Sequence, residues 1–326
     1  MHIALLYNLK PDNAADHGDL YAEFDSPKTL EALTKGITAH GHTVDCIPFD
    51  VDLVPTFGSL KGDLIFSIAE NLGGVSREAW VPALCDMYQR PYVFSGVLAN
   101  TLTLDKALTK RVLLAEGLPV APDQIFRNGR EPLSETFADR FPLFVKPLHE
   151  GSGKGISTAS RVHDEAQLRK QLATLLKTYK QPVLAEPYLD GREFTIGVVG
   201  NDNPKVFMME LDFARLPDNH KFYTHHIKDE DPEAPIFTAP PDLTEELEVR
   251  LRDIALGIKQ LCDLKDCFRF DVRCDRAGNP YVLEINPLPG LTPNYSDLPR
   301  MCEFYGVRHV DLIGMILDAA RKRWGL

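Results

Sequence analysis

The sequence predicts an α/β (α+β) protein of three units, and three observations lead to that prediction. Strand-like and helix-like segments alternate over residues 1–96, which is typical of a parallel sheet covered by helices. A glycine-rich connection follows a strand-like run in the middle of the chain, over residues 97–190. Consecutive strand-like segments dominate residues 191–326, which favours a mainly antiparallel sheet in the C-terminal unit.

The first unit is predicted from short apolar runs and from one helix with clear ends. Ser26 and Pro27 precede that helix and Gly41 follows it, as is common at helix starts and ends. The predicted strands are HIALLYN, HTVDCIPFD, DLIFSIAE and PYVFSG, and the predicted helices are KTLEALTKGITAHG and REAWVPALCDMYQR.

The second and third units are predicted from the same signals. The central unit has a helix in DKALTKRVLLAEG, a strand in FPLFVKP, a helix in DEAQLRKQLATLLKTYK and a strand in PVLAEPY. The C-terminal unit has strands in EFTIGVVG and KVFMMELDF, a helix in DLTEELEVRLRDIALGIKQLC and the hairpin FRFDVRCDRAGNPYVLEIN. An irregular stretch rich in Pro, Asp and His covers residues 214–241, and we expect it to order over a bound ligand.

Composition restricts the class of protein. A hydrophobic content of 44% and a charged content of 25% are ordinary for a soluble globular chain of 326 residues. The net charge of −11 argues against a nucleic-acid partner, which requires a basic face. No apolar run is long enough for a membrane span, the N-terminus lacks a signal-peptide pattern, and the six cysteines show no CxxC spacing. These features predict a cytoplasmic protein with reduced thiols and no membrane partner.

Polar residues interrupt the last hairpin. Glu284 and Asn286 project from the same face of their strand, and Asp271 lies on the strand before it. A buried carboxylate without a partner is costly, so we expect a positive group in front of these side chains. Three oxygen ligands suit a hard cation such as Mg²⁺. The alternative is a hairpin that faces solvent, but apolar residues alternate along both strands and favour the metal site.

The stretch VKPLHEGSGKGIS carries three glycines and two lysines, Lys146 and Lys154. Backbone N–H groups beside a lysine can form a phosphate cradle. The stretch matches neither GxxxxGK[ST] nor GxGxxG, so by itself it is equally consistent with a flexible turn. LAEPYLDGREF, with Glu186 and Glu193, is also weak when it is considered alone.

Together, these motifs resemble those of the ATP-grasp superfamily and, within it, the D-alanine–D-alanine ligases. The resemblance runs from PYVFSG to the C-terminus and is carried by SGVLANTLTLDKALTK, VKPLHEGSGKGIS, EPYLDGREFT and RFDVRCDRAGNPYVLEINPLPGLTP. It implies the ATP-grasp fold and an enzyme that joins two amino acids through an acyl phosphate. It further implies ATP and Mg²⁺ (or Mn²⁺) as cofactors, small amino-acid substrates and a homodimer.

The resemblance also implies roles for individual residues. Arg269 and the N–H of Gly290 would stabilise the oxyanion of the tetrahedral intermediate, and Ser152 would assist catalysis. The implied metal ligands are Asp271, Glu284 and Asn286. The implied ATP-binding residues are Lys106 and Lys146 at the phosphates, Gly151, Ser152 and Gly153 in the covering loop, Glu186 and the Leu189 backbone at adenine, Glu193 at ribose, and Lys228.

The lysine of the family's second phosphate-binding segment has no clear counterpart. In FYTHHIKDE, His226 falls where that lysine is expected, and Lys228 is the proposed substitute. His225 and His226 are interpreted as part of an ordinary loop rather than as metal ligands.

The substrate pockets depart from the family pattern. YNLKPDNAADHGDLYAEFDS lacks the glycines of the family's first-substrate signature, and Glu23 is the nearest equivalent acid. Glu70, in SIAENLGG, stands where the family has a histidine and a glycine. Tyr295 and Ser296 replace a Ser-Leu pair and are followed by Asp297. These five acidic and hydroxylated residues are the predicted substrate-binding set.

The main hypothesis is therefore a D-alanine–D-alanine ligase activity, with a related amino-acid or dipeptide ligase as the alternative. Asp297 would repel the carboxylate of D-alanine, which favours an acceptor with an extra amine or hydroxyl group. Asp297 would instead leave acceptor choice unchanged if it caps a following turn and faces away. A carboxylate phosphotransferase and a nucleotide sensor without turnover are further alternatives. The complete set of charged residues at the predicted site argues against the sensor.

Overall fold

In the computed structural model, which describes residues 1–216, 222 and 235–326, the strands form three sheets that follow one another along the chain. The first sheet is parallel, and the other two are antiparallel. This arrangement confirms the predicted α/β class. The predicted unit boundaries after residues 96 and 190 stay predictions.

The N-terminal sheet has the strand order β2-β1-β3, with β1 at His2–Tyr7, β2 at Thr43–Pro48 and β3 at Leu64–Ser67. The helices of this part are α1 at Pro27–Ala39 and α2 at Trp80–Met87. The four central residues of β1 are all fully buried. A central parallel strand is covered on both faces, which explains why HIALLYN is a continuous apolar run rather than an alternating one.

The fourth strand predicted for this unit, at PYVFSG, is wrong. Tyr92 makes a single parallel bridge with Ile65 and no longer strand follows. The pairing ends because Phe94 adopts a left-handed backbone with φ of 74°, and its N–H donates to the Asp266 carboxylate at 2.9 Å. A residue with that geometry cannot continue a strand.

The central sheet has the order β4-β7-β5-β6. Its strands are β4 at Gln124–Phe126, β5 at Leu143–Pro147, β6 at Arg161–Val162 and β7 at Val183–Pro187. The helices are α3 at Val97–Leu104, α4 at Lys106–Ala115, α5 at Glu135–Ala138 and α6 at Glu165–Tyr179. The helix α3 is not among the predicted elements. Asp105 ends α3 and caps α4 by accepting from the Leu108 N–H at 2.9 Å.

The C-terminal sheet has the order β10-β9-β8-β11-β12. Its strands are β8 at Glu193–Val199, β9 at Lys205–Asp212, β10 at Ile236–Thr238, β11 at Cys267–Cys274 and β12 at Pro280–Asn286. The helices are α7 at Glu245–Leu261, α8 at Asp297–Phe304 and α9 at His309–Trp324. β10 lies inside the stretch predicted to be irregular, and most of the remaining stretch lies outside the described residues.

Two helices pack against the sheets on their apolar faces. On α7, Leu251, Ile254 and Ile258 are buried against β8, β11 and β12, as the apolar spacing of that segment predicts. At the end of the chain, α9 packs against α1 in the same core as β1. The C-terminal helix therefore joins the first sheet to the last. Across the described residues, no helix has the length and apolar character of a membrane span.

Candidate active site

Two adjoining cavities lie between the sheets. The first lies between the central and C-terminal sheets, and Lys146 and Glu186 are among its lining residues. The second is a cleft of about 970 Å³ between the N-terminal segment and the loop that follows β12. Ser152, Arg269 and Glu284 line both cavities, so the two spaces meet at these side chains.

The β11–β12 hairpin brings the predicted metal ligands together. Asp271 pairs with Glu284 across the hairpin, and Arg269 pairs with Asn286 two residues away. All four side chains therefore lie on one face of the sheet. A bulge after Asp271 makes Leu283 the extra residue of β12, and it leaves the pairing of the polar residues intact.

The electrostatics of this face suit a cation. The pKa of Asp271 is raised to about 7, mainly by burial and also by the charges of Glu284 and Asp297, although Arg269 opposes the rise. The Asn286 Nδ2 is buried and has no hydrogen-bond partner among the described residues. Two crowded carboxylates beside an amide oxygen form a donor set of the kind that Mg²⁺ prefers. The described residues contain no cluster of three or more His, Cys, Asp or Glu side chains arranged for a metal, so the third ligand would be an amide.

Glu186 lies between two lysines at the floor of the first cavity. Its carboxylate accepts from Lys110 Nζ at 2.6 Å and pairs with Lys146 Nζ at 2.8 Å. Burial alone would raise the pKa of Glu186, but the two lysines lower it to about 2. Lys110 is not among the predicted site residues. Its position four residues after Lys106 places both lysines on one side of α4, which is a signal that could have indicated it.

Two further predicted nucleotide residues, Leu189 and Glu193, line the same cavity. Glu193 pairs with Arg273 at 2.8 Å, and Arg273 donates to the Tyr188 hydroxyl at 3.0 Å. Burial raises the pKa of Glu193 and Glu284 adds to that effect, whereas Arg273 counteracts both. Leu189 lies beside Tyr188 in the cavity wall.

The glycine-rich loop, residues 150–155, covers the junction of the two cavities. Ser152 and Gly153 have consecutive φ values of 51° and 72° and line the first cavity. Their N–H groups donate to no atom of the described residues. Lys106 donates to the Glu150 carbonyl at the start of this loop and lies 3.6 Å from Glu284. The loop therefore presents two available amides and one lysine at the same place.

The predicted oxyanion donors, Arg269 and Gly290, both line the cleft. Arg269 donates to the Asp271 carboxylate at 2.5 Å and lies 3.5 Å from Asp297. Gly290 lies in the loop after β12, where a Cβ atom would come within 2.7 Å of the Ser296 Oγ. A side chain at Gly290 would therefore displace Ser296, so this close approach requires glycine.

Glu23 lies in the second cleft but is fully engaged. Its carboxylate accepts from Arg77 at 2.8 Å and from the Gly151 N–H at 2.9 Å, and it lies 3.4 Å from Lys154. Burial opposes ionisation, but Arg77 and Lys154 outweigh it and lower the pKa of Glu23. Arg77, which sequence reasoning missed, thus neutralises the acid that was expected to hold a substrate.

Two other carboxylates of the cleft lack such partners. Burial, followed by the charges of Glu78 and Glu23, raises the pKa of Glu70 well above its usual range. Burial also raises the pKa of Glu78 to about 7, although Arg77 counteracts it. Both side chains line the cleft. Glu78 is not among the predicted residues, because REAWVPALC was interpreted only as a helix.

The three predicted acceptor residues separate between the cavities. Tyr295 and Ser296 line the cleft, whereas Asp297 lines the first cavity. Asp297 is the first residue of α8, is 4% exposed and pairs with Arg269. It begins a helix, yet its side chain is directed to the site. Lys228 and His226 lie outside the described residues.

Comparison with known proteins assigns this site to a family. The family described as D-ala D-ala ligase C-terminus matches residues 112–318, which is more than half of the chain. The chain belongs to the D-alanine–D-alanine ligase family. The motif resemblance predicted from the sequence is therefore confirmed.

Relatives extend the match to most of the ligase chain. This chain is 30% identical over 265 residues to the D-alanine–D-alanine ligase of Levilactobacillus brevis. The aligned region covers 79% of this chain and 67% of that ligase. This chain is also 34% identical over 261 residues to an uncharacterized protein of Sinorhizobium fredii, and the aligned region covers 80% of this chain and 75% of that protein. The fold matches the crystal structure of the Bacillus anthracis D-alanine–D-alanine ligase complexed with ATP, with a TM-score of 0.75, 20% identity, and coverage of 99% and 98%.

These comparisons confirm the ATP-grasp fold and the class of reaction. The chain is an ATP-dependent ligase that forms a carbon–nitrogen bond, and it belongs to a family that acts on small amino-acid substrates.

Proposed function

We propose that this ligase joins two molecules of D-alanine through an acyl phosphate. The observation that carries the proposal is the junction of the two cavities at Ser152, Arg269 and Glu284. A phosphoryl donor in the first cavity and an amino acid in the cleft would meet there. Several relatives of this chain are D-alanine–D-alanine ligases, which supports D-alanine as the substrate.

ATP activates the donor because a carboxylate is a poor electrophile, whereas an acyl phosphate has a good leaving group. Asp271, Glu284 and Asn286 would hold Mg²⁺, and the raised pKa of Asp271 supports that role because a cation would stabilise the ionised form. When bound, Mg²⁺ would neutralise charge on the phosphate oxygens. Lys106, Lys146 and the N–H groups of Ser152 and Gly153 would bind the remaining phosphate oxygens.

Glu186, the Leu189 backbone and Glu193 would bind the adenosine. Their common place in the first cavity, beyond Lys146, supports this role. Because Lys110 keeps Glu186 ionised, its carboxylate is available as an acceptor for an exocyclic amine.

Arg269 and the Gly290 N–H would stabilise the oxyanion that forms when the second amine attacks. Positive charge and an amide dipole directed at developing negative charge lower the barrier without reorganisation. Ser152, at the junction, would contact the transferred phosphoryl group.

In the cleft, Glu70 and Glu78 are better placed than Glu23 to bind the ammonium group of the donor. Glu23 is already neutralised by Arg77, whereas neither Glu70 nor Glu78 forms an ion pair within 4.0 Å among the described residues. Tyr295 and Ser296 would border the acceptor.

Asp297 gives little reason to exclude D-alanine as the acceptor. Arg269 lies 3.5 Å from its carboxylate and offsets its charge, and Asp297 lines the first cavity rather than the cleft. We therefore expect Asp297→Asn to lower turnover through Arg269 without a change in acceptor preference.

A release assay for ADP tests the proposal. We expect D-alanine to support ADP release together with formation of D-alanyl-D-alanine, and L-alanine to support neither. ADP release without a dipeptide would indicate a carboxylate phosphotransferase instead. A larger polar amino acid with a higher kcat/KM than D-alanine at the second site would overturn the acceptor assignment. The homodimer implied by the family is a further proposal, which sedimentation of the purified chain would test.

A further inference from the structure

An acidic segment of the N-terminal unit, residues 19–23, is bonded to both ends of the glycine-rich loop. Glu23 accepts from the Gly151 N–H at 2.9 Å, at the start of the loop. Asp19 accepts from the Gly155 N–H at 2.9 Å, at its end. The same Asp19 oxygen accepts from the Tyr179 hydroxyl at 2.5 Å, at the C-terminal end of α6.

These bonds divide the amides of the loop into two groups. The outer N–H groups, at Gly151 and Gly155, are satisfied by carboxylates of the 19–23 segment. The inner N–H groups, at Ser152 and Gly153, donate to no described residue, and both residues line the first cavity. Because the carboxylates occupy only the outer amides, they do not compete for the inner ones.

The far end of the loop has little freedom to be placed in another way. Gly155 has a φ of 73°, and a Cβ atom there would lie 2.5 Å from Pro147 and 2.9 Å from Tyr179. The backbone at Gly155 therefore packs directly against β5 and α6, and its N–H group donates to Asp19. An acceptor that is charged forms hydrogen bonds about twice as strong as a neutral one.

We propose that Asp19 is a positioning residue for nucleotide binding, which holds the end of the glycine-rich loop so that the Ser152 and Gly153 amides stay directed at the phosphates. The inference rests on the phosphate role proposed for that loop. Asp19 lines neither cavity and would act through Gly155 and Tyr179.

Titration of the full-length protein with a non-hydrolysable ATP analogue and with adenosine, both with Mg²⁺, tests this role by calorimetry. Adenosine has no phosphate and does not use the loop. We expect Asp19→Ala to weaken analogue binding about tenfold, since two hydrogen bonds to a carboxylate are lost, and to leave adenosine binding unchanged. The affinity of Asp19→Asn for the analogue should lie between those of the unaltered protein and Asp19→Ala, because the neutral amide oxygen of Asn can still accept a hydrogen bond.

The matched control is Asp16→Asn. Asp16 is an exposed carboxylate three residues before Asp19, and it forms no side-chain hydrogen bond or ion pair among the described residues. It should bind both ligands like the unaltered protein. Tyr179→Phe removes only the hydroxyl that donates to Asp19, so it should weaken analogue binding less than Asp19→Ala does. This variant still tests the role of Asp19 if Asp19→Ala does not fold.

Three outcomes would overturn the inference. Unchanged or tighter analogue binding in Asp19→Ala and Tyr179→Phe would mean that the 19–23 segment does not position the loop. An equal loss for analogue and adenosine would mean a purely structural role. If the unaltered protein binds the analogue no better than adenosine, the loop does not bind phosphate, and the inference fails together with the proposed phosphate role. A loss of analogue binding in the variants alone would not indicate that failure.

Discussion

At the scale of single residues, the site is a set of carboxylates that each have a different partner. Asp271 and Glu284 lie opposite each other on one face of β11 and β12. Glu186 is held ionised by two lysines, whereas burial raises the pKa of Glu78 to about 7. These differences arise from neighbours and burial rather than from the residue type.

Removing the charge at the proposed metal site should abolish most of the turnover. We expect Asp271→Asn and Glu284→Gln each to lower kcat about 100-fold or more, since each removes charge beside the transferred phosphoryl group. Steady-state ADP release over a range of Mg²⁺ concentrations measures this. Asp275→Asn is the control, because Asp275 belongs to the same hairpin but lines neither cavity and accepts only from its own turn and from the Tyr281 hydroxyl. Near-normal turnover of both site variants at limiting Mg²⁺ would show that the metal assignment is wrong.

Glu78 should make stability depend on pH. Its pKa rises from 4.5 to about 7 on folding, because of burial first, so the folded state binds the proton more tightly than the unfolded state. The resulting stabilisation is complete below pH 4.5 and is lost as the pH rises through 7. We expect Glu78→Gln to flatten the fall in Tm between pH 5 and pH 8, as followed by circular dichroism. A variant of the exposed Glu116, Glu116→Gln, should keep the slope of the unaltered protein. An unchanged slope in Glu78→Gln would contradict the assignment.

At the scale of elements, the packing of α1 against α9 fixes one wall of the molecule. Gly36 in α1 faces Ile313 in α9, and a Cβ at Gly36 would lie 2.9 Å from the Ile313 Cβ. This approach depends on a glycine in the middle of a helix, where alanine has the higher intrinsic helix propensity. The tertiary contact therefore overrides the local preference.

Gly36→Ala should destabilise the protein despite that preference. We expect the free energy of unfolding to fall by about 1–3 kcal/mol, because the added methyl overpacks the contact. In an Ile313→Ala background the loss should be smaller, because the contacts with the Ile313 Cγ1 and Cγ2 are removed while the contact with the Cβ remains. Urea unfolding of the four proteins in this cycle measures both effects. The packing argument would be refuted by a Gly36→Ala effect of the same sign and size in both backgrounds.

At the scale of the whole molecule, a fully buried carboxylate joins distant parts of the chain. Asp266 precedes β11 and accepts from Arg323 of α9 at 2.7 Å, from the Phe94 N–H at 2.9 Å and from the Asn201 amide at 2.7 Å. These partners come from the N-terminal unit, the C-terminal sheet and the last helix. The side chain is 0% exposed, so its charge depends on Arg323.

Removing Arg323 alone should lower the stability of the protein more than removing Arg323 together with the Asp266 charge. We expect Arg323→Gln to lower the free energy of unfolding by about 3–5 kcal/mol, because it leaves a buried charge without its ion pair. Adding Asp266→Asn should recover part of that loss, since the remaining group is then neutral. Chemical denaturation of both single variants and the double variant measures the coupling. Additive losses would mean that the two side chains do not act as a unit.

The sequence alone determined those features that depend on residues close together along the chain. The position of Asp271, Glu284 and Asn286 on one face of the hairpin follows from the period of two in adjacent strands joined by a short turn. The parallel first sheet followed from alternating strands and helices, and the family followed from the order of the motifs. The apolar face of α7 could also be predicted, because side chains on one face of a helix recur every 3.6 residues.

Tertiary structure alone decided which charges neutralise one another. Arg77 neutralises Glu23 from 54 residues away, and Asp19 meets Gly155 across 136 residues. It also placed Asp297 beside Arg269 rather than in the cleft with Ser296. No periodicity encodes such contacts, because they depend on how sheets and helices pack after they form. A carboxylate's pKa, its partner and the cavity it lines are therefore properties of the packed molecule.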